Sequence, residues 1–326
     1  MNNNSFGGFL NYTFDSKNNC ENDYYCFESG RSALYVILLK LKPSNLKIPA
    51  YTCNAVLEPI KKLNIPYEFY NLNNELLPND ISLMEDEFII INNYFGLIQE
   101  KISALKFDFS KVIIDNSQFF FFDDKNSNHL SFYSPRKFLG LPDGGLINKK
   151  SINLEDYSDL EVSFSYSRVK HLFQSIEKSK EDLYFEYLKS EKSLSNNKIG
   201  RMSLLTTKML NSYDLKLISD QRKSNFNLIH ETLKGFNSLS YLIDSSKVYG
   251  ALCYPLIIKN RKNLKSILIS KNIYVPTFWP DIEERIKFKD GIEFSLLNNL
   301  IALPIDQKNN LDDISKMLEI ILKILK

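Results

Sequence analysis

The sequence contains little of what membrane proteins, disulfide-rich secreted proteins or zinc proteins require. No apolar run approaches about 18 residues, so no membrane-spanning helix is predicted. The start, MNNNSFGGFLNYTF, lacks a basic segment followed by an apolar one, and so predicts no Sec signal peptide. The four cysteines and three histidines show no ligand-type clustering. We therefore expect a cytoplasmic protein with reduced thiols and no metal site.

The chain also lacks a strong excess of charge of either sign. It has 41 Lys and Arg against 39 Asp and Glu, a net charge of +2, which gives no electrostatic case for nucleic acid. Apolar residues make up 44% and charged residues 25%, which is typical of globular proteins. A length of 326 residues predicts about two domains, each able to bury a core.

Strand-like and helix-like segments alternate through the first half of the chain. The short apolar runs at residues 88–91 and 112–114 are bounded by polar residues, as are strands buried on both faces of a parallel sheet. The apolar segment 32–42 follows Ser29 and Gly30 and ends before a proline, which predicts a buried helix. Further strands are predicted at 46–48 and 67–70, and a further helix at 54–63. The alternation predicts an open α/β sheet with helices on both faces.

The second half of the chain is richer in helical patterns. The sequence predicts helices at 176–194, 264–270 and 312–325, and one or two long helices within 203–233. Residues 248–258 are predicted as a strand. We place a domain boundary near residue 205, which gives a large domain of residues 1–205, with an N-terminal tail, and a small domain of residues 206–326.

Three sets of residues lie at strand ends or helix N-termini, where open parallel sheets bind ligands. Gly30 and Arg31 open the first long helix, whose N-terminus favours a phosphate. Asp115 follows a probable central strand, and Lys137 precedes the glycine pair 144–145. Each has an ordinary alternative: a helix cap, a turn carboxylate and a solvated lysine.

Taken in order, the motifs of the chain resemble those of the DegT-type sugar aminotransferases. The similar segments are ESGRSALYVILLKL, IPAYTCNAV, IINNYFG, VIIDNSQ, SFYSPRKFLGLPDGG, IGRMSLLTTKML, DQRKSNFNLI and IALPIDQKNNLDDISKML, which together span roughly residues 26–326. The resemblance implies a fold-type-I pyridoxal 5'-phosphate (PLP) transferase, with a mostly parallel seven-stranded sheet and a smaller C-terminal α/β domain. It also implies a homodimer with shared active sites.

The resemblance assigns a role to each matching residue. Lys137 would form the Schiff base with the cofactor, Asp115 would face the pyridine nitrogen, and Gln118 would lie beside the ring. The cofactor phosphate would be held by the backbone N–H groups of Gly30 and Arg31 and by a hydroxyl from Ser131 or Ser134. The family's spacing leaves that serine ambiguous.

Two further departures from the family pattern affect the assignment. A gapless alignment would put Arg136 in the lysine position, but a guanidinium stays protonated and cannot form a Schiff base, so Lys137 is preferred. The family's cross-subunit asparagine falls on Ile199, and Asn196 or Asn197 would have to replace it.

The resemblance implies an aminotransferase that converts a keto-sugar, most often nucleotide-linked, to an amino-sugar for surface polysaccharide or glycoconjugate synthesis. Glutamate would be the amino donor, and Tyr51, Tyr94 and Trp279 could line the substrate pocket or simply pack in the core.

Three alternatives stay open. One is a non-catalytic or regulatory relative, and another is a smaller keto substrate without a nucleotide. The third is a serine enzyme of the penicillin-binding type, from an S-x-x-K motif at Ser134–Lys137 with imperfect partners at 219–221 and 289–291.

Overall fold

The structure is a computed structural model that describes residues 12–121, 129–195, 199–258 and 263–325. Within these ranges, a seven-stranded sheet forms the centre of the molecule. Its strands are β1 (Tyr24–Phe27), β2 (Asn45–Pro49), β3 (Tyr67–Tyr70), β4 (Glu87–Asn92), β5 (Val112–Asn116), β6 (Ser131–Tyr133) and β7 (Gly145–Asn148). The helices are α1 (Cys20–Asp23), α2 (Gly30–Leu41), α3 (Asn54–Lys62), α4 (Gln99–Ser103), α5 (Tyr166–Gln174), α6 (Lys180–Ser193), α7 (Leu204–Ser212), α8 (Leu215–Leu233), α9 (Leu264–Ser270), α10 (Ile292–Asn299) and α11 (Leu311–Leu325). A second sheet pairs β8 (Tyr254–Leu256) with β9 (Ile301–Leu303).

The large sheet confirms the predicted α/β class and the mostly parallel arrangement. Its strand order is β1-β7-β6-β5-β4-β2-β3. Strands β3, β2, β4, β5 and β6 run parallel, whereas β7 is antiparallel to both of its neighbours. Asp115 of β5 lies opposite Asn92 of β4 and Phe132 of β6. The carboxyl ends of the parallel strands therefore bring polar residues together at one edge of the sheet.

The local sequence determines where helix α2 begins, which face it buries and where it ends. The Ser29 hydroxyl accepts a hydrogen bond from the Ser32 backbone N–H at 3.1 Å, which caps the helix. Leu34, Ile37 and Leu38 then bury one face of the helix against the sheet. The helix ends where Lys42 adopts a left-handed conformation before Pro43.

Several element predictions are confirmed within one or two residues, including β3, α3, α9 and α11. The predicted strand at 248–258 was too long, because only Tyr254–Leu256 pairs with β9. The predicted helix at 176–194 begins only at Lys180, where Ser179 caps it, and the separate helix α5 before it was missed. Residues 203–233 form two helices, because the Asp214 side chain caps a new helix at Leu217 N–H.

Two buried clusters lie against opposite faces of the large sheet. One packs α2 and α3 against β1, β2 and β6, and the other joins β4 and β5 to residues near 239, 282 and 296. A separate cluster is formed by α8, α11, β8 and β9. That separate core agrees with a smaller C-terminal unit, while the boundary at residue 205 stays a prediction.

Candidate active site

A cavity of about 550 Å³ opens at the carboxyl edge of the large sheet. The sheet, α2, α6 and the C-terminal region all contribute to its walls. Of the residues predicted from the sequence, those that line it are Gly30, Arg31, Asp115, Gln118, Ser134, Lys137 and Trp279. Residues separated by more than two hundred positions in the chain thus meet around one space. This space is the candidate active site.

Lys137 and Asp115 are joined through Ser117. The Lys137 Nζ donates to Ser117 Oγ at 3.0 Å. The Ser117 backbone N–H donates to Asp115 Oδ1 at 2.8 Å, and its hydroxyl also hydrogen-bonds that carboxylate. Ser117 was not singled out by the sequence analysis, although it lies within the DNSQ motif.

Burial shifts both ionisable groups toward their neutral forms. The Lys137 side chain is exposed to the cavity, but the many protein atoms around it partly desolvate its amine and lower its pKa, while the charge of Asp115 opposes the shift. Burial raises the pKa of Asp115, opposed by the charge of Lys137 and by the hydrogen bonds from Ser117. A lysine with a lowered pKa is more often a free amine, which is the form that attacks a carbonyl.

The N-terminus of α2 forms the anion-favouring wall of the cavity. Gly30 and Arg31 lie in its first turn, where backbone N–H groups and the helix dipole attract negative charge. A Cβ built on Gly30 would lie 3.9 Å from Ser134 Cβ, so this serine is next to the helix start. The Arg31 side chain turns to Glu58, with 3.0 Å between Nε and Oε2.

Ser134 reaches the cavity, whereas the structure does not place Ser131 there. Side chains alternate between the two faces of a strand. Phe132 lines the cavity, while Ser131 is buried on the other face and its hydroxyl donates to Tyr133 Oη at 3.1 Å. The geometry therefore favours Ser134 as the phosphate hydroxyl, and that role stays a prediction.

Gln118 is fixed by the loop that follows β4. Its Oε1 accepts a hydrogen bond from the Phe95 backbone N–H at 2.7 Å. Phe95 has a φ of 58°, a left-handed conformation that is uncommon for a bulky residue. Its ring stacks on Phe278 at 6.2 Å between centroids. These contacts hold Gln118 in place at the cavity edge.

Tyr51 and Tyr94 do not line the cavity; of the two positions that the sequence left open for them, the structure shows packing in the core. Both side chains are 1% exposed, and Tyr94 Oη donates to the Tyr51 carbonyl at 2.6 Å. Their rings pack against Trp279, at 4.9 Å and 6.5 Å between centroids. The two tyrosine rings therefore pack against Trp279, and Trp279 itself lines the cavity.

Several cavity residues were not predicted from the sequence. They are Ser117, Tyr187, Glu191, Cys253, Tyr274, Phe278 and Asp306, whereas Ser29 and Cys53, which also line the cavity, were already candidates from the sequence. Arg136 also lines the cavity, although the sequence analysis considered it only as a rejected lysine position. Apart from Ser117 of the DNSQ motif and Arg136 beside Lys137, these residues carry no spacing signal, because they meet only after α6 and the C-terminal region fold over the sheet.

The serine-enzyme alternative loses its geometric support. Ser134 and Lys137 lie at the cavity, but Ser219 lies on α8, where its hydroxyl donates to the Tyr249 carbonyl at 2.9 Å. Neither Ser219 nor Lys289 lines the cavity. The cross-subunit candidates Asn196 and Asn197 lie outside the described residues. Ile199 is described, and it does not line the cavity.

Metal binding and membrane insertion each require features that can be sought in the described part of the chain. No group of three or more His, Cys, Asp or Glu side chains there could hold a metal ion. No helix in the same ranges is long and apolar enough to cross a membrane.

Comparison with known proteins identifies the fold. The sequence matches no protein-family model and no curated protein. Solved structures do match. A DegT DnrJ EryC1 StrS aminotransferase from Brucella abortus is 17% identical, with 92% of this chain and 85% of that chain covered and a TM-score of 0.63. PseC from Helicobacter pylori, an aminotransferase involved in the biosynthesis of pseudoaminic acid, is 15% identical, with coverages of 92% and 86% and a TM-score of 0.62.

NtdA from Bacillus subtilis, solved with bound cofactor PMP, is 14% identical, with 96% of this chain and 78% of that chain covered and a TM-score of 0.63. The chain therefore has the fold of the DegT-type sugar aminotransferases, a fold-type-I α/β architecture, and the resemblance read from its motifs is confirmed as a similarity of fold.

Proposed function

We propose that this protein is a PLP-dependent aminotransferase that converts a keto-sugar to an amino-sugar. The observation that carries the proposal is the Lys137–Ser117–Asp115 chain beside the N-terminus of α2. An enclosed amine, a buried carboxylate and an anion-favouring helix start are the three groups that PLP requires. The similarity of fold to PLP- and PMP-bound aminotransferases supports the same conclusion.

The residues of the cavity fit the cofactor. Lys137 would hold its carbonyl carbon covalently, and Asp115 would face its ring nitrogen. Gly30, Arg31 and Ser134 would hold its phosphate. When bound, the cofactor supplies an electron-withdrawing ring that stabilises negative charge on the substrate carbon. The side chains of the protein must transfer the protons and exclude water from the site.

Lys137 is suited to transfer a proton between carbon atoms during the reaction. Its lowered pKa makes the neutral amine more available, so it can accept a proton from one carbon and return it to another. Asp115 provides the opposing charge, which favours a protonated ring nitrogen. Gln118, held by Phe95, would limit movement of the ring. Phe278 and Trp279 close the apolar side of the cavity and keep water out.

A homodimer is part of the proposal, because the surface next to the cavity is apolar. Tyr187 and Glu191 of α6 line the cavity, while Phe185 on the same helix is 75% exposed. Phe164 and Ile176 nearby in the chain are each 80% exposed. Exposed apolar patches of this kind mark interaction sites. A second copy covering α5 and α6 would bury them and enclose the cavity.

We further propose that the sugar is nucleotide-linked, that glutamate donates the amino group, and that the product enters surface polysaccharide or glycoconjugate synthesis in the cytoplasm. The similarity of fold to PseC, an aminotransferase in pseudoaminic acid biosynthesis, supports a role in making such sugars. A free keto-sugar is the alternative substrate, and a screen that includes both forms separates them.

The test begins with the covalent attachment. Protein reconstituted with PLP should gain a visible absorption band, and borohydride reduction followed by peptide mapping should place the label on Lys137. Lys137→Ala should lose both the band and turnover while keeping its fold by circular dichroism. A label on a different lysine would overturn the assignment.

Turnover is then measured with the amino-loaded enzyme. Candidate keto-sugars, free and nucleotide-linked, are added to the enzyme that carries pyridoxamine phosphate (PMP), the aminated form of the cofactor. Recovery of the PLP absorption band is then followed. Recovery with a keto-sugar supports the proposed reaction. Covalent attachment without transfer to any keto-sugar or 2-oxo acid would instead favour the non-catalytic alternative.

A further inference from the structure

An arginine–glutamate pair lies in the cavity wall, directly beside the lysine. Arg136 and Lys137 are consecutive residues of the 3-10 turn that follows β6, and both line the cavity. The Arg136 guanidinium meets the carboxylate of Glu191 with two parallel hydrogen bonds. Nη2 donates to Oε2 at 2.7 Å, and Nη1 donates to Oε1. This fork-to-fork geometry is the one by which arginine recognises carboxylates. Arg136 is thus a carboxylate receptor that is filled by a residue of its own chain.

The Glu191 carboxylate lies among three cations. Burial alone would raise its pKa, but the hydrogen bonds and charge of Arg136, with the charges of Arg31 and Lys137, hold that pKa below its usual value. The carboxylate therefore remains ionised. The space that it occupies is one where the protein stabilises an anion.

This pair is more accessible than the fully buried pair of Arg168 and Asp143. The side chains of Arg136 and Glu191 are 17% and 32% exposed. Those of Arg168 and Asp143 are 7% and 0% exposed, with 2.9 Å between Nη2 and Oδ2. The enclosed pair has no room for an outside anion. The Arg136 pair opens to a cavity in which a ligand can compete for the guanidinium.

We infer that Arg136 receives the α-carboxylate of an α-amino acid donor, which displaces the internal carboxylate of Glu191. This inference rests on the proposed function. The donor nitrogen must react where the Lys137 amine acts. In an α-amino acid, that nitrogen and the carboxylate are bonded to the same carbon. A receptor for the carboxylate is therefore needed close to Lys137, and Arg136 is the adjacent residue. Glu191 keeps the guanidinium paired until the donor arrives, so no buried charge is left without a partner.

Paired ligands test this recognition. L-Glutamate and its α-amide both carry the amine and the side-chain carboxylate, but only glutamate carries the α-carboxylate. We expect calorimetric titration of the cofactor-free protein to show glutamate binding about tenfold or more tighter than the α-amide, because a charge-assisted bidentate contact is lost. Trp279, the single tryptophan of the chain, lines the cavity, so its emission reports whether binding occurs there.

Two variants separate recognition from stability. Glu191→Gln removes the internal competitor and should tighten glutamate binding severalfold. Combined Arg136→Gln and Glu191→Gln replaces the pair by neutral amides of similar size, and should reduce the preference for glutamate over the α-amide to near unity. Glu231→Gln is the matched control, because Glu231 of α8 pairs at 2.6 Å with Lys234, the residue that follows the helix, and does not line the cavity. It should leave both affinities unchanged.

The same ligands are then compared in the donor half-reaction of the PLP-loaded enzyme. If glutamate transfers its amino group and the double variant keeps the preference for glutamate, the Arg136 assignment fails while the proposed function stands. If no transfer occurs but the calorimetric preference depends on Arg136, the receptor stands and the proposed function fails. Equal affinities of the wild type for the two ligands, or tight competition by inorganic phosphate in place of glutamate, would overturn the carboxylate assignment.

Discussion

Ser117 is the residue that couples the two groups assigned to chemistry. Its hydroxyl lies between the Lys137 amine and the Asp115 carboxylate, and its backbone N–H also binds that carboxylate. Burial pushes both groups toward neutrality, so each hydrogen bond to a charged form matters more than it would at the surface. Two predictions at the scale of single residues follow from this chain.

Asp115→Asn should retain some cofactor binding, because the Lys137 linkage and the helix N-terminus remain. It should lose a hundredfold or more in rate, or above about 2.7 kcal/mol of barrier, since a neutral amide no longer favours a protonated ring nitrogen. Steady-state rates and cofactor titration measure the two effects. Near-normal turnover would mean that another residue faces the ring nitrogen.

Ser117→Ala should raise the pKa of Asp115, because the hydrogen bond from the hydroxyl to the carboxylate is lost. If the ionised carboxylate is needed, the acidic limb of the pH–rate profile moves to higher pH. Ser110→Ala is the control, because that hydroxyl bonds Asp108 at 2.7 Å on the exposed surface. Identical pH profiles for Ser117→Ala and the wild type would contradict the coupling.

At the scale of elements, the junction between β1 and α2 contains a buried carboxyl. Glu28 is 4% exposed and accepts a hydrogen bond from Ser32 Oγ at 3.3 Å. Burial raises its pKa to about 7, against the opposing effects of Arg168 and Ser32. The same carboxyl in the unfolded chain titrates near its ordinary value of about 4.3. Folding therefore favours the protonated form, and the contribution of this group to stability is lost as pH rises from about 4.5 to about 7.

Glu28→Gln keeps an acceptor for Ser32 but carries no charge. We expect it to increase the free energy of unfolding near pH 8 by on the order of 1 kcal/mol, and to change it little near pH 4.5. Denaturant unfolding at both pH values measures the difference. Glu75→Gln, at an exposed residue paired with Lys101, is the control and should show no such pH dependence. Equal gains at both pH values would contradict the assignment.

At the scale of the whole molecule, α6 lines the cavity with Tyr187 and Glu191, and α5 and α6 also carry exposed apolar residues. Phe173 and Tyr184 are 51% and 61% exposed, in addition to Phe185 at 75%. Water contact of this much apolar area is costly, and burial in a dimer would remove it. In the proposed homodimer, the second copy would bury this surface, so the shape of the active site would depend on the oligomeric state.

Sedimentation should show a homodimer, and Phe185→Asp should shift it toward monomer with a parallel loss of turnover. Met84→Asp is the matched control, because Met84 is 76% exposed in the segment before β4, away from α5 and α6. Its sedimentation and activity should match those of the wild type. A fully active monomer would contradict shared active sites.

The sequence by itself determined most of the parallel strands of the large sheet, and it pointed to Lys137 and Asp115, which the structure brings to one cavity. Short apolar runs such as that of β5 suit strands buried on both faces of a parallel sheet, and their alternation with helical segments indicated the fold class. The N-terminus of α2 was readable because Ser29 caps it locally. Ser134 and Ser131 could not be separated by spacing, since the choice depends on which face of β6 each side chain takes.

Only the tertiary structure decided what surrounds these groups. Tyr51 and Tyr94 follow strands, as substrate residues do, yet Trp279 packs over them and keeps them from the cavity. Glu191 reached the cavity wall through the packing of α6, which the sequence showed only as a charged helix. Local patterns report the contacts of a residue with its chain neighbours. The position of Glu191 against Arg136 instead depends on contacts between elements 55 positions apart, which no local pattern contains.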